Sequence, residues 1–168
     1  HKGAIKVYSE PGKGTMFMVL FPALEDAGGV ARTDESSPLA DWRGEGTILL
    51  VDDEESLLAL GARMLEDFGF SVLTAADGLQ GVELYRQRGK EIDLVLMDLT
   101  MPNMDGAKAF DEMRRLNPDV RVVLASGYTV EDVSSRFEGM RPNGFIQKPY
   151  TLINLRETLA GLLPRCSP

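Results

Sequence analysis

Residues 47 to 61 read TILLVDDEESLLALG. An unbroken run of β-branched and apolar residues meets two aspartates, and two glutamates then open a segment of helical character. A short run apolar at every position suits a strand buried on both faces. Glu54 and Glu55 suit a helix N-terminus, where the backbone dipole favours negative charge. Asp52 and Asp53 fit neither element. Adjacent like charges at the end of a core strand need a reason that helix entry does not supply.

From Thr47 onward the same alternation repeats. Leu57, Leu60, Met64 and Phe68 fall at steps of three and four, one face of a helix. FSVLTA predicts a second strand and Gly78 to Arg88 a second helix. IDLVLM, ending at Asp98, is a third strand, and a helix follows over Ala107 to Leu116. VRVVLA, a short helix over Val130 to Phe137, GFIQ and a last helix carrying Leu152, Leu155, Leu159 and Leu162 complete the series. Strands alternating with helices pair in parallel, because each crossover returns the chain to the same end. The expectation is a doubly wound α/β fold with right-handed crossovers: a five-stranded parallel sheet of flavodoxin-like order 2-1-3-4-5 with five helices.

Two zones precede it. Residues 1–23 hold two β-like runs, Ile5 to Ser9 and Thr15 to Phe21, joined by EPGKG, which predicts a hairpin. An isolated hairpin is marginally stable in water, so this one belongs to something larger. PGKGT lacks the spacing and the strand-to-helix setting of a phosphate-binding loop. Residues 24–46 are small and polar without a period and read as a linker whose single aromatic is Trp42. The main domain is expected over 47–165, with 166–168 as a tail.

The 168 residues, 43% hydrophobic and 26% charged, can fill a core, and the formal net charge of −8 argues against nonspecific nucleic-acid or anionic-membrane binding. Cys166 is the single cysteine, so a disulfide within the chain and a cysteine metal cluster are both excluded. The chain begins with His1 rather than Met and reads as a piece of a longer protein. With neither a signal peptide nor an apolar span of about 18 residues, the expected setting is cytoplasmic, without membrane contact.

In sheets of this type, function gathers outside the carboxyl ends of the strands. The first strand delivers Asp52 and Asp53 there, the third Asp98, the fourth Ser126 and the fifth Lys148 followed by Pro149. Three close carboxylates raise one another's pKa unless a cation relieves the conflict. Mg²⁺ takes oxygen ligands and keeps several waters, so two carboxylates and a backbone carbonyl suffice for it. An ionised Asp98 beside it is a nucleophile toward phosphorus, with Lys148 neutralising charge and the Ser126 hydroxyl donating to a phosphoryl oxygen.

The ordered motifs ILLVDDEE, DLVLMDLTMPNMDG, VVLASGY and GFIQKPY resemble the response-regulator receiver family of CheY-like phosphoacceptor domains. The resemblance implies that Asp52 and Asp53 organise Mg²⁺, that Asp98 is the phosphorylation site, and that the Thr100 carbonyl completes the protein ligands. It further implies that Ser126 and Lys148 contact the phosphoryl group and that Phe145 is a switch aromatic. A cis bond before Pro149 and self-catalysed phosphorylation and dephosphorylation are implied with them. Thr100 stands where many members carry Asn, and Ser126 where Thr is more frequent. HKGAIKVYSEPGKGTMFMVLFP resembles the closing hairpin of a histidine-kinase ATPase domain, which places the receiver at the C-terminus of a hybrid kinase. The implied partner is a histidine kinase or a histidine phosphotransfer protein. The implied output is the face made by the fourth helix, the fifth strand and the last helix; with no domain following, the signal is expected to pass to another protein or back onto the kinase.

Two other classes remain at this point. A Mg²⁺-dependent phosphohydrolase using Asp98 needs an acid-base residue two positions on, where Thr100 stands. A flavodoxin-like binding module would set the acidic Asp52–Glu55 cluster against a flavin phosphate.

Overall fold

A computed structural model describes residues 4–10, 12, 14–20, 42–127 and 141–163. The chain divides into two units, His1–Ser37 and Pro38–Pro168. In the first, β1 (Ala4–Glu10) and β2 (Gly14–Leu20) form an antiparallel pair. Ile5 faces Val19 and Val7 faces Phe17, while Tyr8 faces Met16 and Lys6 faces Met18. Both sides of this ribbon are therefore largely apolar, and all of these apolar side chains are exposed.

In the second unit, β3 (Thr47–Val51), β4 (Ser71–Ala75), β5 (Leu94–Asp98), β6 (Val122–Ser126) and β7 (Gly144–Gln147) pair in parallel. Their order is β4-β3-β5-β6-β7, which is 2-1-3-4-5 counted within the sheet. Four helices lie among the described residues: α1 (Glu55–Asp67), α2 (Gly78–Arg88), α3 (Gly106–Leu116) and α4 (Leu152–Leu162). The helix expected over Val130 to Phe137 lies outside the described residues, as do Tyr128, His1 and Cys166. No helix among the described residues is long and apolar enough to cross a membrane.

The two-residue period of each strand divides the core. Leu49, Val51, Val95 and Met97 pack with Val82 and Tyr85 of α2 and Phe110 and Met113 of α3. Ile48, Leu50, Leu94 and Leu96 pack on the other face with Leu65 of α1 and Leu155 and Leu159 of α4. Burying each such side chain contributes roughly 1.5–3 kcal/mol. The crossover direction and this division together fix which strand ends share an edge.

Two helix faces differ from expectation. In α1 the buried residues are Gly61 and Leu65, followed by Phe68 at its C-cap, while Leu60 is 56% exposed. The reason is Gly61: a Cβ there would stand 3.0 Å from a Leu50 methyl, so the helix lies close on the sheet along its glycine, and Leu60 turns outward. Leu57, Leu60 and Met64 instead line an apolar cavity of about 290 Å³ with Pro149 and Tyr150. In α4, Leu155 and Leu159 are buried but Leu152, in the first turn, is 48% exposed.

Residues 42–46, read as the end of the linker, are held at the amino ends of the strands. Trp42 is buried against Phe68 and Phe70, ring centroids 6.3 and 5.8 Å away. The Gly44 N–H donates to the Phe68 carbonyl at 2.9 Å, the Ser71 N–H to that of Gly46 at 2.9 Å, and Arg43 donates to the Asp67 carbonyl.

Candidate functional site

Asp52 follows the last residue of β3, Asp98 closes β5, Ser126 closes β6, and Lys148 follows β7. Parallel pairing brings these four ends to one edge. The β5–β6 register sets Asp98 opposite Ala125, and the β6–β7 register sets Ser126 opposite Gln147. The Lys148 N–H then donates to the Ser126 carbonyl at 2.8 Å, extending the ladder one residue beyond the sheet. The Lys148–Pro149 bond is cis.

Carboxylate oxygens of Asp52, Asp53 and Asp98 lie within 4.8 Å of one another. Asp52 is buried, Asp98 half-buried and Asp53 exposed, so the trio opens toward solvent on one side. Lys148 Nζ reaches Asp52 Oδ2 at 2.5 Å and Asp98 Oδ2 at 3.0 Å. Burial pushes the Lys148 ammonium toward neutrality, but its hydrogen bonds to Asp52 and Asp98 and their charges outweigh this and hold its pKa above the ordinary lysine value. The lysine is thus a fixed cation at neutral pH. Asp52 Oδ1 also accepts the Glu54 N–H at 3.1 Å, and Asp98 Oδ1 accepts the Thr100 N–H at 3.3 Å.

Against three clustered carboxylates stands one ammonium that touches two of them. The donors are hard oxygens, one is exposed, and the negative charge exceeds what Lys148 neutralises, a set that suits a hard divalent cation. The residues fit such an ion. Ser126 is 1% exposed at the same edge. Phe145 is half-buried and packs against the core that holds Leu124, its partner across the β6–β7 register. Thr100 is exposed, between buried Leu99 and Met101.

The sequence reading gave no role to Tyr150, which enters the same field two residues beyond Lys148. Burial raises its phenol pKa, the Lys148 charge pulls it down, and Asp52 and Asp98 push it up, for a net rise. An aromatic directly after Lys-Pro was the available signal.

Residues 48–160 match the model of the response regulator receiver domain family. Over 169 residues, 97% of this chain, the sequence is 33% identical to the sensor kinase CckA of Brucella abortus, and it spans 18% of that protein's length. The crystal structure of the receiver domain from the hybrid histidine kinase CckA is 30% identical, with a TM-score of 0.59, covering 70% of this chain and 99% of that one. The response regulator TrrA of Thermotoga maritima, solved in complex with Mg²⁺ and BeF, is 26% identical with a TM-score of 0.62, covering 70% and 99%.

Proposed function

The chain belongs to the response regulator receiver domain family, and from that membership we propose the residue-level chemistry of its site. It is a receiver domain of two-component signalling, and Asp98 is its phosphoacceptor. The observation that carries this is the Lys148 ammonium, 2.5 Å from Asp52 and 3.0 Å from Asp98, at an edge where Asp53 completes a carboxylate trio.

The donor is a phosphohistidine on a histidine kinase or a histidine phosphotransfer protein, in a cytoplasmic setting. An Asp98 carboxylate oxygen attacks the phosphorus as the P–N bond breaks, and the electron pair of that bond returns to the imidazole nitrogen. Asp52, Asp53, Asp98 and the Thr100 carbonyl would hold Mg²⁺, which when bound neutralises charge on the phosphoryl oxygens. Lys148 gives up its contact with Asp98 Oδ2 and pairs with a phosphoryl oxygen instead. The Ser126 hydroxyl donates to another. Ser126 is hydrogen-bonded through its carbonyl to Lys148 and lies in register two residues from Phe145. A shift at the phosphoryl group therefore passes to Phe145 and the β7–α4 face, a local charge event read by a two-state element.

The hairpin is assigned to the end of a histidine-kinase ATPase domain, with the receiver following in a hybrid kinase. Its support is the run of similarity to a sensor kinase across 97% of the chain and the apolar side chains exposed on both faces of β1 and β2. A ribbon of that kind is not stable alone. Amide protection over residues 4–20 that appears only when the preceding sequence is attached is the expected result. Equal protection without it contradicts the assignment.

The direct test is incubation with acetyl phosphate and Mg²⁺. Wild type gains about 80 Da, the mass of one phosphoryl group; Asp98→Asn gains none, and undiminished labelling of that variant refutes the assignment.

A further inference from the structure

The loop between β5 and α3, residues 99–105, carries Thr100; Met101 anchors it in the core and the Met104 N–H donates to the Pro102 carbonyl at 2.7 Å, but its tip at Pro102 and Asn103 is exposed. Its ends are pinned: the Leu99 N–H donates to the Ala125 carbonyl at 2.9 Å and the Gly106 N–H to the Leu99 carbonyl at 2.9 Å. Between them Thr100, Pro102 and Asn103 are exposed. Asn103 has φ of +63°, the left-handed region that Asn enters more readily than most residues and for which it still needs support.

That support comes from a segment 26 positions earlier. Asn103 Nδ2 donates to Asp77 Oδ2 at 2.9 Å. Asp77 is the N-cap of α2, and its other oxygen accepts the Gln80 N–H at 2.8 Å. One carboxylate thus ends a helix with one oxygen and holds a loop with the other. Beside it, a Cβ on Gly78 would meet the Met104 carbonyl at 2.4 Å, so the loop backbone lies directly on the first turn of α2. Neither residue belongs to the carboxylate trio, and capping alone needs only one oxygen.

We propose that Asp77 and Asn103 are positioning residues for the cation site, fixing the β5–α3 loop so that the Thr100 carbonyl stands where Mg²⁺ requires it. The proposal rests on the assignment of that carbonyl as a ligand. Mg²⁺ demands near-ideal octahedral geometry at about 2.0–2.1 Å, so a ligand on an exposed loop must be held before the ion arrives. Outer-shell partners of metal ligands typically change affinity by about 10- to 100-fold when removed.

The test separates positioning from capping. Asp77→Ser keeps a good N-cap but is too short to reach Asn103, and Asn103→Gly keeps the left-handed backbone without the amide. Each is expected to weaken Mg²⁺ binding by calorimetry about tenfold, while the phosphorylation rate at saturating Mg²⁺ matches wild type. The double variant should lose no more than either single one, as for two ends of one bond. Asp77→Asn should retain wild-type affinity, because an Asn103 amide turned over offers its oxygen to the new NH₂. Mg²⁺ affinity within about twofold of wild type in both disrupting variants overturns the proposal and leaves the Asp98 assignment standing. Wild type that binds no Mg²⁺ overturns both.

Discussion

The two ends of the parallel sheet are built from different materials, aromatic rings at one and clustered carboxylates at the other. At the amino ends, Trp42, Phe68 and Phe70 form an aromatic cluster with the Arg156 guanidinium 4.9 Å over the Phe68 ring, and backbone hydrogen bonds tie residues 44 and 46 to residues 68 and 71. At the carboxyl ends, three carboxylates and one ammonium share a few ångströms. Among the described residues, Asp52 and Ser126 are the polar side chains that are buried, and both lie at that edge. The aromatic end confers stability. The charged end gathers like charges that Lys148 neutralises only in part and that a bound cation would relieve, a local conflict of the kind that folded chains keep at functional sites.

Substitutions should therefore separate the ends. The largest effect is expected from Lys148→Met: the phosphorylation rate falls by about 100-fold or more, the scale for losing one aimed charge at a developing anion. Fast mixing with a phosphodonor and mass readout checks it. Trp42→Ala should do the reverse, lowering stability by about 3 kcal/mol in urea denaturation, with the labelling rate of folded protein unchanged. A Trp42 variant that folds well and labels slowly would break the separation.

Smaller effects sharpen it. Asp53→Asn removes one of three repelling carboxylates at an exposed position, so metal-free stability should rise by about 0.5 kcal/mol even as Mg²⁺ affinity falls. The pH dependence has a definite sign. Because the folded-state pKa of Lys148 lies above the ordinary 10.5, its pairing contributes in full below that value and is lost as pH rises through the elevated one. Wild type should lose more stability than Lys148→Met between pH 9 and pH 12, measured as the difference in urea midpoints. Changes at the aromatic end, such as Trp42→Ala, should leave that difference intact.

What the sequence disclosed follows the same division. Strand positions were legible because TILLV, LVLM and GFIQ are short apolar runs between turn signals; crossover rules fix handedness but leave more than one doubly wound order open, and the order 2-1-3-4-5 is that of the flavodoxin-like class. Asp52, Asp53, Asp98, Ser126 and Lys148 could be named because a parallel sheet puts every strand's carboxyl end on one side. Periodicity grouped Leu60 with Met64 and Phe68, which do pack on the core, but Leu60 turns outward because Gly61, which scores as nothing on a hydrophobic count, is the residue set against Leu50. Trp42 stood in a segment without periodicity, and its contacts with Phe68 and Phe70 are tertiary. The Asp77–Asn103 bond was invisible for the same reason. Each residue reads locally as a helix start or a turn, and only the fold brings them to 2.9 Å.

The central claim is most directly tested by locating the acid-labile phosphate. Borohydride reduction of the phosphorylated chain converts an aspartyl phosphate to homoserine, which tandem mass spectrometry places in the sequence. Homoserine at position 98 is the predicted result. Homoserine at position 52 or 53, or a phosphate that borohydride does not remove, would contradict it.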